Sequence, residues 1–398
     1  MAYNKRIMDV KNELYYQDAY RTDFDSIVVA CETTKNGYEV QLKETVFYPE
    51  GGGQPGDHGF LNQTSVIDTH RKNGAIVHLC TEPFALGEMV HGKIDWERRF
   101  DLMQQHTGEH IFSGIVHSLF GYDNIGFHLG EETITLDFSG PLTWDDLKTV
   151  ETKANQLIWR NEPVEVLYPD QDELAAMDYR SKKELEGMVR IISIKDGDVC
   201  ACCGTHVRYT GEIGLIKVLS TANRKDGTRC EIVCGSRALA YVQAVTDQNL
   251  AISHRLSAKV FETADAVERM QKEMLDSSYR LRGIILRQLE EKLTAIPEGT
   301  PLYTVYTEGI DTQELRKFLN RVLEEKQAGI AAGFTANATG YQYVIVSSAA
   351  DLKPLSKLLN ETFHGQGGGK PAMIQGFLTA SETELESCLQ NWVKEKAE

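Results

Sequence analysis

Two histidines four residues apart stand in the motif HTGEH, at His106 and His110. The surrounding segment predicts an α-helix, and at about 3.6 residues per turn both rings project from the same face. Two imidazoles on one face can bind one metal ion. The pair by itself is also consistent with a polar, partly buried helix face that binds nothing.

A second pair with the same spacing follows in VCACCGTHV, where Cys202 and His206 are four residues apart. Thiolate and imidazole are ligands that suit a tetrahedral zinc ion. The alternative is that the cysteines are buried and behave as small hydrophobic residues, which does not explain why they cluster beside a histidine. Together the two pairs predict a zinc site with the ligands His106, His110, Cys202 and His206.

Three further residues compete for places in this set. Cys200 and Cys203 flank Cys202, and either thiol could take its place. His117 lies eleven residues beyond His106, on the same helical face. We favour Cys202 because its spacing to the next histidine repeats the spacing of the first pair.

HTGEH also fits the H-x-x-E-H pattern of inverted zinc peptidases, in which Glu109 would be the general base. Such peptidases take a carboxylate as their third metal ligand and need no downstream cysteine. The pair Cys202 and His206 therefore counts against a peptidase. That function would also leave the glycine-rich segment at residues 47–60 without a role.

This segment, FYPEGGGQPGDHGF, contains five glycines and a single side-chain amide, Gln54. Glycine permits turns with positive φ and lets a backbone come close to another molecule. Two interpretations are open. The segment could line a binding pocket, or it could be a hairpin turn with a bulge that leaves Gln54 in solvent.

Hydrophobic patterns indicate the elements that position these residues. Residues 26–93 contain β-rich runs separated by Gly, Asn and Pro turns, which predicts a small antiparallel barrel or sandwich. Asp95 is a predicted N-cap for a helix from Trp96 to Phe120, which Gly121 would end. Strands return after it, with a second helix that begins at a capping box in TWDD. This mixture of helices and antiparallel strands makes the fold class α+β.

The second half of the chain has a different pattern. Apolar residues recur at seven-residue steps within a helical stretch from about Leu239 to Leu293. They predict the seam of a coiled coil or helical hairpin, or else two core helices packed on their own domain. The residues at these steps are Val260, Val267, Met274 and Leu281.

After the linker IPEGTP, the pattern predicts a compact α/β unit that ends in GQGGGKPAMIQGF. The glycine loop in this stretch could hold a phosphate or form a tight turn. These patterns predict four parts. They are a barrel subdomain at 1–94, a zinc-binding core at 95–238, a coiled-coil-like helical segment at 239–296 and an α/β domain at 297–398.

Charge limits what the protein can bind. The net charge of the 398 residues is −16, to which residues 1–200 contribute −15 and residues 201–398 contribute −1. The acidic first half disfavours loose electrostatic binding of nucleic acid, so such a partner would be held mainly by local patches in the second half. Two candidate patches are Arg280, Arg282 and Arg287, and Arg224, Lys225 and Arg229.

The location of the protein follows from what the sequence does not contain. No run of eighteen uncharged apolar residues is present, and no apolar run follows the basic residues at the N-terminus, so neither a membrane span nor a signal peptide is predicted. Eight cysteines are then expected to be thiols or metal ligands. We expect a cytoplasmic protein that does not contact membranes.

The motifs resemble a known family. FYPEGGGQPGDHG, QQHTGEHIFSG and CCGTHV are similar, in this order, to three signatures of alanyl-tRNA synthetase editing domains and of the free-standing AlaX proteins. GGGKPAMIQGF resembles the glycine motif of the synthetase's DHH-associated domain. The resemblance spans nearly the whole chain and is that of a long-form AlaX. Two positions depart from the pattern, because Glu109 stands where a small or uncharged residue is usual and Cys203 stands where the family has glycine.

The resemblance implies a function and roles for residues. A long-form AlaX would be a trans-editing hydrolase that deacylates tRNA(Ala) mischarged with serine or glycine, with zinc on the two histidine and cysteine motifs and a homodimer formed through the C-terminal half. Gly51, Gly52 and Gly53 would line the substrate pocket. Gln54 would lie near the substrate, and Thr45 would sense the serine hydroxyl. The alternative is a non-catalytic tRNA-binding module whose zinc is structural.

Overall fold

The computed structural model describes residues 13–181, 189–337 and 339–397. The chain forms two compact units, Met1–Gln248 and Asn249–Glu398. Among the residues described, no helix is both long and apolar enough to cross a membrane.

A closed barrel of six strands follows the short helix α1 (Leu14–Gln17). The strands are β1 (Asp23–Thr34), β2 (Gly37–Leu42), β3 (Gly59–Leu61), β4 (Thr64–Lys72), β5 (Ala75–Cys80) and β6 (Met89–Ile94). Their order is β1-β2-β5-β4-β3-β6, and all neighbours are antiparallel. Exposed and buried residues alternate along β6, since successive side chains of a strand point to opposite faces. The predicted antiparallel barrel is confirmed.

Helix α2 (Trp96–Phe120) carries the histidine pair. The Asp95 side chain accepts a hydrogen bond from the Arg98 backbone N–H, and the helix ends at Gly121 with a φ of 70°. Both ends therefore lie at the predicted residues. The middle turns of the helix, including HTGEH, are buried, so the motif lies inside the first unit.

The rest of this unit is an α+β core around α2. A four-stranded sheet has the order β12-β13-β8-β7, and a three-stranded sheet has the order β11-β10-β9. Helix α3 begins at the predicted capping box, in which Thr143 and Asp146 bond to each other's backbone. The elements are β7 (Asn124–Leu129), β8 (Ile134–Phe138), α3 (Trp144–Arg160), β9 (Val164–Leu167), α4 (Gln171–Ala176), β10 (Ile191–Ile194), β11 (Asp198–Ala201), β12 (Ile216–Arg224) and β13 (Gly227–Cys234).

The helical stretch of the second half is interrupted. Helix α5 (Gly235–Leu256) and helix α6 (Thr263–Ala295) are separated at residues 257–262, where Ser257 has a φ of 50° and Val260 lies in a 3-10 turn. The prediction of one heptad seam starting at Val260 is therefore wrong at its first step. Later seam residues do lie on α6, where Met274 and Leu281 are more than half exposed.

The C-terminal unit contains a five-stranded sheet in the order β14-β15-β16-β18-β17. The pair β14 and β15 is parallel, and the other pairs are antiparallel. The predicted glycine loop is instead the edge strand β17, where a Cβ at Gly367 would lie 2.0 Å from the Tyr343 hydroxyl. The elements are β14 (Leu302–Glu308), α7 (Thr312–Lys326), β15 (Ile330–Asn337), β16 (Gly340–Ser347), α8 (Lys353–Thr362), β17 (Gln366–Lys370), β18 (Met373–Leu378) and α9 (Glu382–Ala397).

Candidate metal centre

The fold brings the four predicted ligands into one group. His106 and His110 come from α2, and Cys202 and His206 come from the segment that follows β11. Their possible ligand atoms all lie within 4.8 Å of one another. The ring of His206 lies with its centroid 4.8 Å from that of His106 and 5.0 Å from that of His110.

Ring nitrogens without a hydrogen-bond partner indicate that these residues fit a metal ion. Nε2 of His110 and both ring nitrogens of His206 are buried and have no hydrogen-bond partner among the residues that the structure describes. Buried polar atoms without a partner are rare, because each loses its bonds to water. Three imidazoles and one thiol form a donor set that suits zinc.

The electrostatic environment favours the metal-binding protonation state of Cys202 and His206, but not that of His110. Burial raises the pKa of the Cys202 thiol, but three imidazoles hold that pKa well below its usual value. They are those of His106, His110 and His206. This direction favours the thiolate, which is the form that binds metals. Burial lowers the pKa of His206 to about 3, which keeps that ring neutral. Burial also opposes the charge on His110, yet Cys202 and the Asp198 carboxylate raise its pKa well above the usual value, so metal binding would release that proton.

His106 is oriented by Gln54. Nδ1 of His106 lies 2.8 Å from Oε1 of Gln54. Because that oxygen can only accept, Nδ1 carries the hydrogen. Nε2 of His106 then faces the group, 3.3 Å from Sγ of Cys202. The side chain of Gln54 therefore fixes the tautomer that leaves Nε2 available to a metal.

Gln54 itself is held from the other side. Its Oε1 accepts from the Thr205 backbone N–H at 3.1 Å, and its Nε2 donates to Oγ1 of Thr205 at 2.8 Å. The residue is 0% exposed, so the interpretation that leaves Gln54 in solvent is wrong. Gln54 joins the glycine-rich segment to both ligand motifs.

His110 has a different partner, which the sequence analysis missed. Its Nδ1 lies 2.7 Å from Oδ2 of Asp198, and Arg180 binds both oxygens of that carboxylate, at 2.8 and 2.7 Å. Asp198 is buried. The only sequence signal was its place four residues before Cys202, which repeats the spacing of the metal motifs; Asp198 lies outside the group of four.

The competing residues are placed elsewhere. Cys203 is exposed, whereas Cys200 is buried and belongs to a second possible ligand group, with Asp198, that shares His110 with the group of four. His117 lies 3.1 Å from the Asp123 carboxylate, outside the group of four. Cys202 is the cysteine whose sulfur lies among the three ligand histidines.

Glu109 does not belong to the group of ligand atoms either. It is buried, and its Oε1 accepts from the Ser113 hydroxyl at 2.8 Å and from the Asn124 amide at 2.6 Å. A general base in a zinc peptidase must face the metal-bound water. The hydrogen bonds of Glu109 give no support to that role.

The glycine-rich segment begins with a tight turn. Gly51 and Gln54 exchange backbone hydrogen bonds of 3.1 and 3.0 Å, and the central residues Gly52 and Gly53 have φ of 62° and 85°. Positive φ at both positions defines a type I′ turn and explains two of the glycines. A Cβ at Gly53 would lie 2.6 Å from the Phe127 ring, whose centroid is 5.2 Å from that of His106. The turn therefore borders the metal centre, and open space surrounds Gly52.

The glycine of CCGTH is required by packing. A Cβ at Gly204 would lie 2.1 Å from Cε1 of His106. Nη1 of Arg190 binds the carbonyls of Cys202 and Gly204, at 2.9 and 3.0 Å. This backbone can pass against the imidazole only without a side chain at position 204.

A buried salt bridge joins the glycine-rich segment to α2. Arg99 binds both carboxylate oxygens of Asp57, and the two side chains are 0% and 1% exposed. Asp57 also accepts from the Tyr48 backbone N–H at 2.6 Å, and Arg99 donates to the Val46 carbonyl at 2.7 Å. The pair is thus fully hydrogen-bonded, as a buried ion pair must be.

Thr45, the predicted hydroxyl sensor, lies in the segment between β2 and β3. Its side chain is 7% exposed, and its Oγ1 lies 2.9 Å from Nε2 of His78. The sequence gives no signal for His78, since a lone histidine in a strand has no characteristic spacing.

Two family profiles match the chain. Residues 7–98 match class II (A) tRNA synthetases, and residues 189–229 match the second additional domain of threonyl- and alanyl-tRNA synthetases. The second match contains the CCGTH motif. These matches put the chain in the class of proteins that share segments with these synthetases, and the second match covers Cys202 and His206 but not the two histidines of α2.

Similar proteins define the family more narrowly. An alanyl-tRNA editing protein Aarsd1-A of Xenopus laevis is 34% identical over 397 residues, which cover 94% of this chain and 96% of the relative. The alanyl-tRNA editing protein AlaX-L of Pyrococcus horikoshii is 29% identical, with the same shares of both chains covered. An alanine–tRNA ligase of Halorubrum lacusprofundi is 32% identical over 71% of this chain but only 31% of the ligase. The chain belongs to the family of free-standing alanyl-tRNA editing proteins.

Proposed function

We propose that this protein hydrolyses the ester between a wrong amino acid and tRNA(Ala), and that the wrong amino acids are serine and glycine. The observation that carries the proposal is the group of three buried histidines, His106, His110 and His206, with the half-buried Cys202, beside the glycine turn. Membership in the editing family supplies the substrate class. The cofactor we propose is zinc.

The residues of the chain would divide the work. Four protein ligands would fill a tetrahedral zinc shell, so zinc would act on the ester carbonyl or on a water only where one ligand yields its place, and would otherwise order the pocket and anchor the amino acid. Gln54 orients His106, as its bonds to that ring and to Thr205 indicate. The turn at Gly51, Gly52 and Gly53 would let the 3′ end of the tRNA approach the backbone closely.

Selection of the substrate would depend on Thr45. A synthetase pocket for alanine cannot strongly reject serine, which adds only a hydroxyl. A second site that hydrogen-bonds this hydroxyl discriminates better, because alanine would leave the buried polar group without a partner. The nearly buried hydroxyl of Thr45 is our candidate for that contact.

Deacylation of tRNA(Ala) charged with serine, glycine or alanine tests this function. We expect rapid release of serine and glycine and slow release of alanine. Cys202→Ser should abolish release together with bound zinc, whereas Cys203→Ser, a matched change of the adjacent exposed thiol, should keep both. A wild-type chain that binds Ser-tRNA(Ala) and releases no serine would instead be the non-catalytic module.

We also propose that two copies associate through α6. Its seam residues Met274 and Leu281, together with Met270 and Ile284 beside them on the helix, are between 46% and 64% exposed, and a row of exposed apolar side chains on one helix is typical of an interface. Light scattering should show a dimer that Met274→Glu with Leu281→Glu converts to monomer. Glu273→Gln, an exposed change on the same helix, is the control, and a monomeric wild type would contradict the proposal.

Acidic partners neutralise part of the positive charge of the two basic patches that we propose as tRNA contacts. Arg224 and Arg229 both bind Asp137, at 2.5 and 2.7 Å, and Arg282 binds Glu314 at 2.7 Å. Such pairs reduce the positive charge that each patch presents to phosphate.

A further inference from the structure

His78 lies in the interior of the barrel and is 0% exposed. Its Nδ1 is 3.0 Å from the carbonyl oxygen of Val40 on the neighbouring strand. A carbonyl oxygen can only accept a hydrogen bond, so Nδ1 must carry the hydrogen. The tautomer of this histidine is therefore set by the backbone of β2.

The charge state of His78 decides what its other nitrogen does. Burial lowers the pKa of His78 to about 4, although the bond to Val40 opposes this and nearby His70 adds to it. The ring is therefore neutral at neutral pH, and Nε2 carries no hydrogen. Because Nε2 lies 2.9 Å from Oγ1 of Thr45, the Thr45 hydroxyl must donate its hydrogen to His78.

The Thr45 hydroxyl has a limited number of hydrogen bonds left to offer. A hydroxyl has one hydrogen and two lone pairs. The hydrogen goes to His78, and one lone pair accepts from the Phe47 backbone N–H at 3.1 Å. What is left is one lone pair, which can accept a hydrogen bond but cannot donate one.

We propose that His78 is a positioning residue that makes Thr45 a dedicated acceptor, so that, among amino acids larger than glycine, the pocket selects those whose side chain donates a hydrogen bond. This inference rests on the proposed editing function and on Thr45 facing the acyl group. The substrate class is narrower than a polar side chain. Serine, or an analogue with a β-ammonium group, meets the requirement. β-Fluoroalanine is close to serine in size but has no hydrogen to donate, and does not.

The tautomer is tested without any substrate. In full-length protein labelled with 15N-histidine, the His78 signals are assigned by their absence in His78→Gln. We expect a proton on Nδ1, an unprotonated Nε2, and no change between about pH 6 and 8. A proton on Nε2 in this range overturns the inference. This result does not depend on whether the chain hydrolyses anything, so it separates the inference from the proposed function.

Selection is tested with tRNA(Ala) charged with serine, β-fluoroalanine or glycine. The wild type should release serine roughly three- to tenfold faster than β-fluoroalanine, the range expected for one neutral hydrogen bond. Equal release of the two overturns the inference. A wild type that releases none of the three overturns the proposed function and the selection together, whatever the tautomer.

Two amide variants distinguish positioning from structural support. Asn at position 78 can replace the Nδ1 donor to Val40 but not the acceptor for Thr45, whereas the longer Gln can place an oxygen near Nε2. His78→Asn should therefore lower the ratio of serine to β-fluoroalanine release towards that of Thr45→Val, and His78→Gln should retain more of it. In the double variant Thr45→Val with His78→Asn, the ratio should fall no further than in Thr45→Val. A variant at position 78 that slows all three substrates equally and leaves the ratio unchanged shows that His78 only supports the fold.

Discussion

The two histidines of α2 are held by opposite kinds of partner. His106 donates to a neutral amide, Gln54, which belongs to the glycine-rich segment of the barrel region. His110 faces a carboxylate, Asp198, which belongs to β11 of the core and is bound by Arg180. The barrel side and the core side of the candidate metal centre are therefore unlike, although both are buried.

This difference indicates a division of roles. A hydrogen bond to a charged group is roughly twice as strong as a neutral one, and a carboxylate makes its histidine a stronger ligand. The core side would thus determine how tightly metal is held. The amide of Gln54 mainly sets the orientation of the His106 ring. Through its bonds to Thr205 it also holds the glycine turn against the CCGTH segment. Four measurements test this difference between the barrel side and the core side.

The largest effect is expected where the barrel side is anchored to α2. Asp57→Asn would leave the Arg99 guanidinium buried without its counter-charge. Removing one partner of a buried ion pair costs about 3–5 kcal/mol, so the free energy of unfolding of the first unit should fall by that amount in urea titrations. The control is Asp18→Asn, whose exposed pair with Arg208 should contribute less than about 1 kcal/mol. Equal effects of the two changes would show that the buried pair is not an anchor.

The barrel side should also be sensitive to acid. Because burial holds the pKa of His78 at about 4, against 6.5 when exposed, the unfolded chain binds the proton first. The stability due to neutral His78 is complete above about pH 6.5 and is lost as the pH falls towards 4, by about 3 kcal/mol in all. The groups that face this ring are the Val40 carbonyl, Thr45 and His70. In unfolding titrations between pH 7 and 4, His78→Gln should lose less stability than the wild type. Parallel pH profiles would contradict this assignment.

On the core side, Asp198→Asn removes the charge behind His110 and keeps the shape of the side chain. Loss of such a partner typically weakens metal affinity about 10- to 100-fold, which a competition titration against a zinc chelator would measure. Asp196→Asn is the matched control two residues away, since Asp196 is exposed and pairs with Arg160. Zinc affinity in Asp198→Asn equal to that in the control would mean that the carboxylate does not act through His110.

The smallest effect is expected for Gln54→Leu. One neutral hydrogen bond to His106 is lost, so zinc affinity should fall by roughly three- to tenfold, less than for Asp198→Asn in the same titration. Gln63→Leu, at an exposed position of the barrel, controls for a change of amide to leucine. If Gln54→Leu weakens zinc as much as Asp198→Asn, the two sides do not differ and the comparison fails.

The features that could be predicted from the sequence are those that depend on residues close together along the chain. The four-residue spacings identified the histidine pair and selected Cys202 over the thiols beside it. The cap at Asp95 and the stop at Gly121 predicted both ends of α2, because caps and turns act within a few residues. Alternating strands and turns predicted the barrel for the same reason.

The partners that hold the predicted site residues in place depend on tertiary packing and could not be predicted from the sequence. Gln54 and Thr205 are 151 residues apart, His110 and Asp198 are 88 apart, and Thr45 and His78 are 33 apart. No local period reports such pairs, since each forms only when separate elements pack and a buried polar atom must find a partner. The same reason explains the exposed seam of α6, because a heptad pattern shows that an apolar row exists, and only packing shows whether the chain covers it.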